Sequence, residues 1–239
     1  MQPAGDRAVW VFGYGSLCWH PGFEYDEMLT GFVRGFCRKF WQGNTTHRGT
    51  EDKPGRVATL VEEKGAVVWG RAFRLRGEAA LPYLEAREVR LGGYEVRPAD
   101  FHPADGKTAP FAALAYVATP GNRHWLGDAP LPLIAAQIAD SCGASGHNVE
   151  YLVRLARFVR QHAPPEAADE HLFALEAMVL SAVKERDLCL KTLMGEEPRR
   201  LSLSPEPDQL EAEGAAALRP DTFEFTSRVP PKKLRCLNI

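Results

Sequence analysis

The 239-residue sequence has no apolar run of 18 residues, so no transmembrane helix is expected. Its first residues, Met1-Gln2-Pro3-Ala4-Gly5-Asp6-Arg7, lack the charged-then-apolar order of a secretory signal, and a cytosolic location is expected. Neither charge dominates: 29 Lys and Arg against 31 Asp and Glu leave a net charge of -2. That argues against a general nucleic-acid binder, which would show a basic face or stripe. Cysteine is sparse. The five residues, Cys18, Cys37, Cys142, Cys189 and Cys236, are odd in number, widely spaced and without a Cys-x-x-Cys pair or a nearby histidine set. Reduced thiols are expected rather than a disulfide framework, and no metal site is expected. There is no phosphate loop, no internal repeat and no Gly-x-Ser-x-Gly elbow, since Ser16 stands in Tyr-Gly-Ser-Leu.

What is present is a globular composition, 45% hydrophobic and 25% charged, in a chain long enough to bury a substantial core. One stretch organises the rest. Val9-Trp10-Val11-Phe12 is a non-alternating, β-branched and aromatic run that reads as a buried strand. It leads directly into Gly13-Tyr14-Gly15-Ser16-Leu17, a turn whose two glycines can take φ > 0 and leave backbone N–H groups uncovered. Such groups beside a hydroxyl can hold a carboxylate or a developing oxyanion.

The following residues divide into recognisable units. Cys18 to Asp26 reads as irregular and Phe32 to Trp41 as a strand, whose Arg38 either faces solvent or lines a pocket. Gln42 to Gly55, polar and aperiodic, reads as a long loop carrying His47 and Arg48. Arg56–Val61 and Ala66–Leu75 read as two strands joined through Glu62-Glu63-Lys64-Gly65 as a hairpin. Leu81, Leu84, Glu88 and Leu91 recur at helical spacing within Glu78 to Leu91, and Gly92-Gly93 stops that helix. Strands follow from Tyr94 to Phe101 and from Phe111 to Ala118. Three amphipathic helices come next: around Leu131–Ile138, after Ser145-Gly146-His147-Asn148, and over Glu166 to Leu188.

Strands first, then helices, specify an α+β domain whose small, mainly antiparallel sheet or barrel is covered by helices. Strict βαβ alternation is missing, as is the third glycine of a dinucleotide fingerprint. The domain is expected over residues 8–190. Residues 196–239 hold six of the 18 prolines and no apolar period, and read as a disordered, charge-rich tail in which Ser204-Pro205 is a possible phosphorylation site. Of the carboxylates Glu85, Glu88 and Glu95, Glu88 alone falls on the apolar stripe with Leu84 and Leu91. Desolvation there makes a carboxylate a better base near neutral pH.

Several segments together resemble the ChaC family, the glutathione-specific γ-glutamylcyclotransferases. They are Phe12-Gly13-Tyr14-Gly15-Ser16-Leu17, Arg38-Lys39-Phe40-Trp41-Gln42-Gly43, Lys53-Pro54-Gly55-Arg56-Val57, Tyr83-Leu84-Glu85-Ala86-Arg87-Glu88, Gly92-Gly93-Tyr94, Gly146-His147-Asn148-Val149-Glu150-Tyr151 and Asp169-Glu170-His171-Leu172. The likeness spans about residues 8–185 and leaves the tail uncovered. It implies a cofactor-free reaction in which the α-amine of a γ-glutamyl group closes on its own γ-carbonyl, giving 5-oxoproline and cysteinylglycine. It implies Glu88 as general base and Val11, Phe12, Gly13, Tyr14, Gly15, Ser16 and Leu17 as the substrate-binding loop, with Tyr151 facing the site. Arg38, His47, Arg48 and Arg56 are candidates for the glycine carboxylate of reduced glutathione, because arginine suits a bidentate contact. Other γ-glutamyl compounds are an alternative substrate class. A regulatory role, with a protein partner engaged through the cleft or the tail, is a second reading.

Overall fold

A strand rich in apolar residues on consecutive positions needs apolar neighbours on both faces, and β1 (Trp10–Gly13) has them. Phe12 is 1% exposed in the main core, where its ring lies 5.7 Å from that of Phe101. Val11, fully buried, points the other way into a second cluster with Leu17, Phe73, Leu75, Leu84 and Tyr116. Burying side chains of this size is worth roughly 1.5–3 kcal/mol each. The computed structural model that shows this describes residues 9–76, 84, 93–167 and 169–195.

The strands are β1, β2 (Tyr25–Asn44), β3 (Gly55–Leu75), β4 (Glu95–Pro103) and β5 (Phe111–Val117). They close into a barrel in the order β1-β3-β2-β4-β5. β1 runs antiparallel to β3 and parallel to β5, while β2–β3, β2–β4 and β4–β5 are antiparallel. A small ribbon of β6 (Cys142–Gly143) and β7 (Gly146–His147) lies outside the barrel. The helices α1 (Leu131–Asp140), α2 (Asn148–His162) and α3 (Glu170–Glu185) bury Ile134, Ile138, Leu152, Leu155, Leu172 and Leu175 in the main core. This is the expected α+β arrangement.

The expected hairpin at Glu62-Glu63-Lys64-Gly65 does not form: β3 runs unbroken through it for 21 residues. The pairing with β2 jumps from Arg34↔Val67 to Phe36↔Glu62. Gly35 and Gly65, with φ of 80° and 87°, supply the bulge that bends both strands around the barrel. The glycine signal was real but marks a bend rather than a chain reversal. β2 also begins earlier than Phe32 and continues through Asn44, which shortens the expected loop. The last long helix starts at Glu170, capped by Asp169, whose carboxylate accepts from the Leu172 amide at 3.0 Å. The short helix α4 (Leu190–Met194) begins where the domain was expected to end.

Of the expected helix over 78–91, Leu84 is described; it is helical and fully buried. Glu85, Glu88 and the tail from 196, with Ser204 and Cys236, lie outside the described residues. Cys18, Cys37 and Cys142 are free thiols.

Candidate active site

The loop after β1 is a wound turn. Tyr14 and Gly15 leave the strand and Ser16–Cys18 form one turn of 3-10 helix. The Cys18 amide donates to the Gly15 carbonyl at 3.0 Å and the His20 amide to the Ser16 carbonyl at 2.8 Å. Two further bonds hold the turn from outside its own backbone. The Cys18 thiol donates to the Gly13 carbonyl at 3.3 Å, and Arg71 Nη1 donates to the Cys18 carbonyl at 2.7 Å. Burial pushes the Cys18 thiol up to about 12, so it remains a proton donor. Within the described residues, the amides of Gly15 and Leu17 donate to no acceptor.

The glycines are needed for a different reason than expected. Neither Gly13 nor Gly15 has a positive φ; Gly15 sits at φ -125°. What excludes a side chain is space. A Cβ on Gly15 would stand 2.6 Å from the Tyr151 hydroxyl. The close approach of a helix-borne phenol therefore fixes this position.

That phenol and the loop form two sides of a cleft. The residues from Phe12 through Leu17 line it together with Ala58, Tyr94, Tyr116 and Tyr151. Tyr151 comes from the first turn of α2, whose start is set by the His147 cap. It is 5% exposed, and its ring packs edge-on against Trp19 at 5.5 Å and Phe40 at 6.0 Å. The Ala58 amide donates to its oxygen at 3.2 Å, which turns the phenol's own proton elsewhere. Burial pushes its pKa up to about 12, so the group is a neutral O–H donor. On the opposite side the Tyr14 hydroxyl donates to the Tyr116 carbonyl, tying the loop to the end of β5. Among the described lining residues no side chain is charged.

The residues singled out in the sequence therefore separate. Phe12, Gly13, Tyr14, Gly15, Ser16, Leu17 and Tyr151 meet at the cleft. Val11 does not line the cleft; it is packed in the second cluster with Leu17 and Tyr116. Arg38 is 1% exposed; its Nη1 donates to Asp169 at 2.6 Å and its Nη2 to the Trp69 carbonyl at 2.5 Å. Arg56 donates to Gln137 at 2.7 Å and to the carbonyls of Phe40 at 3.0 Å and Gly127 at 2.9 Å. Neither arginine lines the cleft. Arg48 pairs with Glu150 at 2.7 Å, its guanidinium 5.9 Å from the Tyr151 ring centre, and His47 Nδ1 lies 3.0 Å from Ser145 Oγ. Glu95 is exposed on β4, accepting from Thr119 and Arg97. Tyr94, Tyr116 and Ala58 are cleft residues that sequence reasoning did not assign to the site. The segments holding both tyrosines were visible, but strand pairing across the barrel brings their ends beside β1. Among the described residues, no three His, Cys, Asp or Glu side chains converge as metal ligands.

A second cavity lies elsewhere, about 580 Å³ against about 60 Å³ for the cleft. It is lined by charged groups, including Lys39, Glu63, Glu166 and Glu170. The Arg38–Asp169 pair forms part of its wall.

A family model described as ChaC-like protein matches residues 9–182. Glutathione-specific gamma-glutamylcyclotransferase 1 of Mus musculus is 52% identical over 172 residues, covering 71% of this chain and 77% of that protein. The Danio rerio protein of the same name is 46% identical over 184 residues, covering 76% and 93%. The crystal structure of the yeast gamma-glutamyl cyclotransferase specific to glutathione superposes with a TM-score of 0.66 at 26% identity, covering 73% of this chain and 96% of that one.

Proposed function

The chain belongs to the ChaC-like family, and on that premise we propose that it degrades reduced glutathione as a γ-glutamylcyclotransferase, releasing 5-oxoproline and cysteinylglycine. The observation that carries the reading is the cleft itself, a turn of backbone donors faced by a neutral phenol in a family of this activity.

The reaction needs no external nucleophile. The substrate's α-amine is already tethered to the γ-carbonyl, so the protein's first task is to fold the γ-glutamyl group into a near-attack shape. The amine nitrogen bonds to the γ-carbon, the carbon–nitrogen bond to cysteine breaks, and the proton lost by the attacking amine ends on the departing one. A cleft walled by phenols and backbone, with no charged side chain among its described lining residues, desolvates the α-ammonium and favours its neutral, nucleophilic form. The amides of Gly15 and Leu17 and the Tyr151 hydroxyl then donate to the substrate's carboxylate and to the oxygen that gains charge as the ring closes. Glu88 is assigned the proton transfer as general base. In support, Leu84, helical and buried in the same cluster as Leu17, stands four residues before Glu88 in sequence. No cofactor enters this scheme. Free thiols and reduced glutathione suit a reducing compartment such as the cytosol.

One observation favours a broader substrate range. Arg38 and Arg56, expected to meet the glycine carboxylate, are engaged away from the cleft. Recognition concentrated on the γ-glutamyl head would also admit other γ-glutamyl compounds. Reduced glutathione and γ-glutamyl-alanine, compared as substrates of the purified protein, decide this. A kcat/KM for glutathione at least about tenfold higher supports the specific reading; equal values support the broader one. A protein partner for residues 196–239 is a separate proposal. It expects that deleting them leaves turnover unchanged and abolishes only an effect outside catalysis.

A further inference from the structure

Tyr94 contributes to the cleft from the entry to β4, two residues beyond Gly92, where the expected Glu88 helix was to stop. Its neighbours on both sides are held by one turn of the β5–α1 connection. On the N-terminal side, Asn122 Nδ2 donates to the Gly93 carbonyl at 2.8 Å. Gly93 has φ +65°, and a Cβ there would lie 3.0 Å from the carboxamide atoms of Asn122, so the glycine is seated directly on that side chain. On the C-terminal side, Thr119 Oγ1 donates to Glu95 at 2.9 Å.

The orientation of Asn122 is itself fixed. Its Oδ1 accepts from the His124 amide at 2.8 Å, its amide donates to the Thr119 carbonyl at 2.9 Å, and its carbonyl accepts from the Trp125 amide at 2.9 Å. It is 8% exposed. A buried carboxamide with both ends satisfied is a stiff mount, because turning it would break both bonds to two half-buried groups. Ordinary turn formation needs the acceptor oxygen; the donor nitrogen is the part aimed at Gly93.

We propose that Asn122 is a positioning residue for the ring closure. It clamps Gly93 so that Tyr94 stands against the Tyr14-Gly15-Ser16 loop, with Thr119 as the weaker second jaw. This rests on the cyclotransferase reading of the cleft. Tyr94 shapes the space in which the γ-glutamyl group must fold, and a small displacement of such a wall lowers the population of near-attack conformers.

Asn122→Asp is the informative substitution. It keeps the acceptor for the His124 amide and the side-chain shape, but places a carboxylate oxygen against the Gly93 carbonyl. The expected result, per folded molecule, is a fall in kcat of about tenfold with KM for reduced glutathione within about threefold. Thr119→Val is expected to cost about two- to threefold in kcat. Amide hydrogen exchange at Tyr94 and Glu95 in Asn122→Asp should quicken by about tenfold, with β1 and α2 unchanged. Wild-type kcat in Asn122→Asp, a loss confined to KM, or unchanged exchange at Tyr94 and Glu95 would each overturn the assignment. An inactive wild-type protein would instead overturn the cyclotransferase reading, and the exchange measurement would still decide whether Asn122 holds this segment.

Discussion

The two cavities of the barrel domain were built in opposite ways. The small cleft at the end of β1 is lined by backbone, phenols and one hydroxyl, with no charge among its described side chains. The larger cavity is lined by charged side chains, of which Arg38 and Asp169 are locked together at 2.6 Å. Size and charge would draw attention to the second. Chemistry favours the first. A ring closure between two groups of one substrate needs desolvation, shape and a few fixed donors, whereas a paired charge has already spent its field on its partner. The difference implies that changes at the cleft cost turnover, and changes at the charged wall cost stability.

The sharpest way to break that contrast is at the proton. Glu88→Gln should lower 5-oxoproline release by about 10²–10⁴-fold while leaving thermal unfolding unchanged. Full activity in this variant removes Glu88 from the mechanism. Next in size is Gly15→Ala, whose methyl would stand 2.6 Å from the Tyr151 hydroxyl. Turnover should fall by about 10²-fold as loop and phenol are forced apart. Tyr151→Phe removes a donor without adding bulk. It should cost about 10-fold or more in kcat and, by leaving the Ala58 amide unpaired, about 1–3 kcal/mol of stability.

Tyr151 also carries a pH signature. Its pKa of about 12 in the fold stands above the ordinary 10, and that of Cys18 at about 12 stands above the ordinary 9. Between these values the unfolded chain has lost protons that the folded chain keeps. Stability must therefore fall as pH rises from about 9 towards 12, and it is unaffected by these groups at lower pH. Urea midpoints measured across that range should decline, less steeply above pH 10 in Tyr151→Phe.

Arg38→Met has the smallest expected effect on catalysis and tests the other cavity. It strands Asp169 at the α3 cap and should destabilise by about 3–5 kcal/mol, read from denaturant unfolding, with KM for glutathione unchanged in the folded fraction. A raised KM at unaltered stability would return Arg38 to substrate binding and dissolve the contrast between the cavities.

Much of this could be read in the residues because the signals were local. The apolar run into Gly13-Tyr14-Gly15-Ser16 marked β1 and its loop, and helical spacing marked α1 to α3. Strands followed by helices indicated the α+β class. What escaped was set by pairing at long range. Gly65 looked like a hairpin turn because a positive φ serves bends and reversals alike; only the register against β2 distinguishes them. Arg38 and Arg56 looked like anion ligands because their partners, Asp169 and Gln137, lie 131 and 81 residues away. The glycines of the loop were correctly singled out for the wrong cause, since the constraint on Gly15 is a phenol from a helix 136 residues downstream, at position 151.

The central claim is that the substrate's own amine, rather than water, attacks the γ-carbonyl. Product analysis after mixing the purified protein with reduced glutathione and no added cofactor tests it most directly. The expected result is 5-oxoproline and cysteinylglycine in equal amounts. Release of free glutamate with cysteinylglycine would show water to be the nucleophile and contradict the account.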